Sequence, residues 1–183
     1  RAQSGRGLAL DHRIDLADRH DVDVHGNAYA RERHKNPDVD RSSHGDPGRA
    51  LAARLDALVG RPSDGDTVVE LAVGNRPGVA AALAERGHVV VATDRREREV
   101  PDGVTFVRDD LTEPTLSVYE AAALLYARNL PGELQRPAHD LATAVDAPLW
   151  FTTLGAEEPV LSVERESLPA DTLYRATTGP TEG

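Results

Sequence analysis

The chain reads as an α/β protein: a three-layer, doubly wound, mostly parallel Rossmann-like sheet of about five strands. Three observations carry that expectation. Thr67 to Asp94, TVVELAVGNRPGVAAALAERGHVVVATD, runs strand, glycine turn, helix, glycine, strand. Its strands are near-continuous apolar runs, as in parallel strands buried on both faces. Further short apolar runs, Val104–Val107, Ala123–Ala127 and Leu149–Leu154, are interleaved with helical spacing, the pattern of βαβ units.

The elements follow in order. Asp46-Pro47 opens the first helix as an N-cap followed by proline at the first helical position. Leu51, Leu55, Leu58 and Val59 form its apolar stripe, and Gly60 ends it. The turn Pro62-Ser63-Asp64-Gly65-Asp66 leads into the first strand. In the central unit Pro77 suits the first helical position, Gly87 suits C′, and Val79, Ala80, Leu83 and Ala84 supply the apolar face. Only nine residues separate Asp94 from Val104. That is too few for a full crossover helix, so this link is expected to be a short turn or an extended loop. A short helix including Leu116–Glu120 precedes the fourth strand. Another helix runs from Pro131 through Ala144, with Pro137 expected to kink it or mark a late start. Val160–Val163 and Thr172–Ala176 read as short edge strands.

Composition bounds the function. A length of 183 residues suits one domain with a real core. The absence of cysteine excludes disulfides, thiol catalysis and cysteine-ligated zinc. No apolar run approaches the ~18–20 residues of a membrane span, so a soluble, cytoplasmic protein without membrane partners is expected. The net charge is −10, and Lys35 is the only lysine among 21 basic residues. Acid excess with almost no lysine resembles proteins of extreme halophiles, whose solvated carboxylates keep them soluble at high salt. It also argues against a nucleic-acid groove, although an acidic surface hides any local basic patch.

Residues 1–45 differ from the rest. Their charges balance, and five of the seven histidines (His12, His20, His25, His34, His44) fall there. No period of 2 or 3.6 is sustained, so this stretch reads as an extension that is disordered or not native. His20, Asp21, Asp23 and His25 are suitable ligand types, but their spacing matches no metal pattern, and no metal is expected. The domain is expected over 46–178, with a tail at 179–183.

The chemistry gathers at the strand ends. Asp94 ends the second strand 20 residues after Gly74, where an acid receives both ribose hydroxyls of an adenosine ligand. Glu70, inside the first strand, costs several kcal/mol unless paired, and so is expected to face a polar cleft or bond loop amides. Asp109-Asp110 end the third strand on the same edge, where an acceptor takes an exocyclic amine. Gly78 permits close approach of the following helix. Trp150, Tyr119, Tyr126, His88 and His139 read as packing or surface residues.

The runs ELAVGNRPGVAAALAERGHVVVATD, FVRDDL, SVYEAAALLYARNLPGEL and APLWFTTLG resemble the archaeal uncharacterised protein family 0146, over roughly residues 47–178. That family looks like a compact class I, S-adenosylmethionine-dependent methyltransferase fold. By the resemblance, Glu70 and the loop Ala72–Gly78, including Gly74, contact the amino-acid part of the cofactor. Asp94 holds its ribose, and Asp109 or Asp110 lies near the adenine. Asn129-Leu130-Pro131 stands where such enzymes carry Asp or Asn-Pro-Pro, making Asn129 the catalytic candidate that orients a methyl acceptor. The methyltransferase loop prefers an acid followed by three alternate glycines, and here those positions read Ala72, Gly74 and Arg76.

Three functions stay open. One is an S-adenosylmethionine-binding protein that transfers methyl groups; a second is a non-catalytic nucleotide-binding or partner-binding module that has lost that site. The third, nicotinamide redox chemistry, lacks its GxGxxG motif, as Ala72, Gly74 and Pro77 show. The sequence names neither the acceptor nor the oligomeric state.

Overall fold

The computed structural model describes residues 46–61, 65–155 and 157–177. All belong to the second of the two units into which the chain divides, Asp40–Gly183. The readings of residues 1–45, the histidines there and the tail at 179–183 lie outside the described residues.

Among the described residues three helices and seven strands follow in chain order: α1 (Pro47–Val59), β1 (Thr67–Glu70), α2 (Gly78–Ala84), β2 (Val89–Asp94), β3 (Val104–Arg108), β4 (Ala122–Ala127), α3 (Gly132–Ala144), β5 (Leu149–Phe151), β6 (Val163–Leu168) and β7 (Asp171–Ala176). They build one sheet in the order β3-β2-β1-β4-β5-β7-β6. The first five strands are mutually parallel, and β7 runs antiparallel to both β5 and β6. This is a Rossmann-like, mostly parallel α/β fold, with β1 in the middle of its five parallel strands.

The pleat sends alternate residues of each central strand to opposite faces. Val68, Val90 and Leu124 pack with Leu51 and Leu55 of α1 and Val79 and Leu83 of α2. Val69, Leu125 and Phe151 pack with Ala138 and Leu141 of α3. Helices on both faces explain why these strands are apolar on both faces. α1 starts as its sequence implies, with the Asp46 carboxylate accepting from the Gly48 N–H at 3.1 Å and Pro47 following.

Several elements differ from expectation. Among the described residues the sheet has seven strands rather than about five: β7 falls on the expected edge strand Thr172–Ala176, β6 starts where Val160–Val163 was expected to end, and the two pair from Val163↔Ala176 to Leu168↔Asp171. β5 stops at Phe151 rather than Leu154. The short helix before β4 is a single 3-10 turn at Leu116–Val118. Pro137 neither delays nor ends α3, which runs on through it although the ring offers no N–H to the preceding turn. The link between β2 and β3 holds no helix, as its nine residues require.

The connection from β5 to β6 also has no helix among its described residues, and a buried glutamine holds it. The Gln135 side chain donates to the Leu130 carbonyl at 3.3 Å and accepts from the Val160 N–H at 2.8 Å. It thereby ties α3 to both the loop before it and the strandless segment behind it. Gln135→Leu would fill the space but orphan both backbone groups. A loss of about 1–3 kcal/mol is expected in urea unfolding, and an unchanged midpoint would refute this role for Gln135.

Candidate functional site

The site grows from the way β1 ends. Beyond Glu70 the Leu71 N–H donates to Tyr126 on one side at 2.7 Å, and the Val73 N–H donates to Thr93 on the other at 2.9 Å. Ala72 between them adopts φ +50, and Gly74 follows at φ +60. Left-handed backbone costs a residue with a Cβ about 1–2 kcal/mol. Ala72 thus follows a path on which glycine is the easier residue.

Asp94 closes this loop. Its Oδ2 accepts from the Gly74 N–H at 3.0 Å, and Oδ1 accepts from the Arg96 N–H at 2.9 Å. The Arg98 Nε lies 3.3 Å from Oδ1, within ion-pair distance but not aimed for a hydrogen bond. The same guanidinium donates to Asn75 Oδ1 at 2.6 Å, laying Arg98 across the loop. The acid predicted to bind ribose therefore also serves as the clamp of the glycine loop.

A cavity of about 490 Å³ opens at the carboxyl ends of these strands, beside the start of α3. Ala72, Asp94, Asp109 and Asp110 line it, with Arg95, Arg96 and Arg98 and the apolar Leu111 and Leu134. Four of the residues singled out in the sequence thus meet around one space. Asp109 is partly committed to the protein: Tyr119 donates to its Oδ2 at 2.7 Å, and the Thr115 N–H lies at 3.2 Å from Oδ1. Burial foremost raises the pKa of the Tyr119 phenol and keeps it a donor. Asp110 is exposed and forms a turn in which the Thr112 N–H and hydroxyl both donate to Oδ1. Those bonds hold its carboxyl below 3.8.

The other singled-out residues do not line this cavity. Gly74 sits at a smaller hollow beside Asn75 and Arg98, and Gly78 opens onto a cleft at the start of α2. Asn129 adopts φ +51 and donates its N–H to Thr152 Oγ1 at 2.9 Å. It sits between Arg128, which lines that cleft, and Pro131, which lines the 490 Å³ cavity.

Glu70 is the last residue of β1 and shares the face of Val68, under α1 and α2. It is buried, and Tyr126, its register partner on β4, donates its hydroxyl to Oε2 at 2.8 Å. Oε1 has no hydrogen-bond partner. Burial raises the carboxyl from 4.5 to about 7, against the weaker pull of the Tyr126 hydroxyl, Arg128 and the Ala80 amide. Neither a polar cleft nor a loop amide relieves it, as the sequence had implied; a tyrosine does. The pairing of Glu70 with Tyr126 was missed because nothing but strand register brings residues 56 apart together. His88 is similarly buried, with Nε2 2.7 Å from Asp56 Oδ1 on α1. Trp150 is half-buried under the Arg175 guanidinium, 5.9 Å from its ring. Among the described residues no cluster of metal-ligating side chains occurs, and no helix is long and apolar enough to cross a membrane.

Residues 55–174 match the Uncharacterised protein family (UPF0146), and the chain belongs to it. A UPF0146 protein of Halobacterium salinarum is 52% identical over 110 residues, covering 60% of this chain and 85% of that protein. One from Archaeoglobus fulgidus is 48% identical over 67 residues, 37% of this chain and 52% of that protein. Among solved structures, an RNA methyltransferase from Salinibacter ruber in complex with S-adenosyl-L-homocysteine is similar at a TM-score of 0.48 and 17% identity. The similarity covers 73% of this chain and 94% of that one. The relatives are archaeal, and a halophilic one among them accords with the acidic, lysine-poor composition.

Two outcomes follow from this geometry. Gly74→Ala adds a Cβ that meets only the Ala72 carbonyl oxygen, at 3.9 Å, so its cost is conformational. Thermal unfolding should register a loss of about 1–2 kcal/mol, and a neutral result would contradict the left-handed turn. For Glu70, the unfolded chain releases its proton near pH 4.5 while the fold keeps it to about 7. Stability from this group is complete below pH 4.5, falls as pH rises through that window, and levels off above it. The total loss is about 3 kcal/mol. Glu70→Gln should flatten that component in urea unfolding between about pH 5 and about pH 8. Parallel profiles for the two proteins would show that residue 70 does not titrate there.

Proposed function

We propose that the chain binds S-adenosylmethionine, or a related adenosine ligand, in the cavity at the carboxyl ends of β1, β2 and β3, and acts as a methyltransferase. The observation that carries this reading is the meeting of Asp94, Asp109 and Asp110 around one partly apolar space of about 490 Å³. Small-ligand sites occupy about 300–1,000 Å³. A carboxylate oxygen accepts up to two hydrogen bonds, so Asp94 Oδ2, which takes one from Gly74, retains capacity for a ribose hydroxyl. Asp110 is ionised at neutral pH and leaves Oδ2 for an amine. Arg95 and Arg96 offer cations to a ligand carboxylate, and Leu111 and Leu134 offer an apolar wall.

In this reading Ala72 and Gly74 form the loop under the ligand, Gly78 lets α2 approach, and Glu70 supports that loop from the opposite face. When bound, the sulfonium supplies an electrophilic methyl group. Positioning and exclusion of water are then the protein's contribution. Asn129 orients the acceptor from its place between the two hollows. One observation favours the second reading, a binding module without turnover: Asp94 already serves Gly74, Arg96 and Arg98.

Isothermal titration of the full chain in molar KCl, with S-adenosylmethionine and separately with NAD, tests the proposal. Binding of the first alone, weakened at least about tenfold (~1.4 kcal/mol) by Asp94→Ala, is expected. No heat from a protein shown to be folded would overturn it, and heat from NAD alone would move the case to redox chemistry.

A further inference from the structure

A second cleft, of about 950 Å³, lies beside the start of α2. Four arginines from four separate segments line it: Arg49 on α1, Arg76 in the β1–α2 loop, Arg86 after α2 and Arg128 after β4. Two acids, Asp46 and Glu85, share the lining. In a chain of net charge −10, this is a local reversal of sign.

The arginines are unequally engaged. Arg86 lies 3.6 Å from Asp56, and Asp46 is committed to capping α1. Arg49, Arg76 and Arg128 form no ion pair among the described residues. Arg128 is half-buried, its Nη1 3.5 Å from the Arg76 carbonyl, which fixes two guanidinium-bearing segments side by side. The nearby Glu70, held largely protonated below pH 7, does little to neutralise it. Gathering like charges raises the free energy of the empty cleft and lowers that of an anion within it. Planar guanidinium forks match phosphate oxygens two at a time, a geometry that survives salt better than diffuse attraction.

The cleft shares its walls with the adenosine cavity. Ala72 faces one space while Arg76 and Gly78 of the same loop face the other; Pro131 faces one and Arg128 the other. Arg76 also stands where the methyltransferase loop prefers its third glycine.

We infer that this arginine cleft binds the phosphoryl group of a phosphate-bearing ligand. As the seat of a methyl acceptor it rests on the reading above; as an anion site it does not. The ligand is a phosphorylated small molecule or a nucleic-acid backbone.

Two probes separate these sources: inorganic tripolyphosphate by calorimetry, and a short fluorescein-labelled single-stranded RNA by anisotropy across a KCl series. Both are titrated into the full chain. At least one should bind. The double variant Arg76→Ala/Arg128→Ala, with its fold checked by circular dichroism, should weaken binding at least about tenfold and lower the RNA salt slope by about 2. Arg165→Ala, an exposed arginine on β6, is the charge control and should leave affinity within about twofold. Binding of RNA alone assigns a phosphodiester backbone, and binding of tripolyphosphate alone assigns a small phosphorylated ligand. No binding of either probe, or binding indifferent to Arg76 and Arg128, overturns the inference. Titration of the unaltered chain with S-adenosylmethionine separates the two proposals. Silence there with phosphate bound fells only the donor reading, and the reverse fells only this one.

Discussion

The backbone of β1 leaves the sheet between two neighbours that continue past it, and its polar groups must still be satisfied as it goes. A buried N–H without an acceptor costs about 1–3 kcal/mol, so the path of residues 71–74 is set by where acceptors stand. Tyr126 on β4 supplies one, Thr93 on β2 the next, and the Asp94 carboxylate the third. The chain can reach all three only by turning through left-handed conformations at Ala72 and Gly74. That turn raises the loop over the strand ends and leaves the hollow on the α3 side. The cavity is thus a by-product of satisfying β1, and Asp94 belongs to the fold before it belongs to any ligand.

Acids on this edge diverge because their surroundings diverge. Asp110, exposed and fed by two donors from Thr112, stays ionised. Glu70, two strands away, is buried with the Tyr126 hydroxyl on one oxygen, and burial moves it towards neutrality. A carboxyl that keeps its proton up to about pH 7 sits under α2 at less cost than a full buried charge would carry. The Tyr126 hydroxyl stays protonated for the same reason, burial first and the Glu70 charge second. The face under α1 and α2 is thus rimmed by arginines, while the cavity beside α3 is lined by Asp94, Asp109 and Asp110.

Much of this was legible because the central unit obeys local rules. Continuous apolar runs marked β1 and β2, and the 20-residue spacing put Asp94 at a strand end. Thr172–Ala176 marked β7, but the course of β6 was not legible, for an equally physical reason. β6 reads VERESL: an edge strand protected from stray pairing by alternating charges carries little apolar signal. Gln135 looked like any helix polar residue, since only the helix-free path from β5 to β6 gives its amide two backbone partners. The parity of Val68 and Glu70 did fix which face the carboxyl takes, but only the register of β4 says that Tyr126 stands opposite. The arginine cleft was invisible because its residues are 27 to 52 positions apart where they come from different layers, Arg49 to Arg76 and Arg76 to Arg128.

The departures from the methyltransferase glycine pattern then acquire a common sense. Ala72 keeps the left-handed turn that glycine would make, so the substitution changes what the loop presents and not where it runs. Ala72 lines the 490 Å³ cavity, where a partly apolar wall already stands. Arg76 needs no special backbone, and its side chain leaves the loop on the opposite side. One eight-residue segment, Leu71 to Gly78, therefore furnishes walls for two spaces of opposite character, one rich in acids and one in arginines. A glycine at 76 would serve the first space alone. The arginine there joins the loop to the second, so that a single turn of backbone separates a wall of acceptors from a wall of cations.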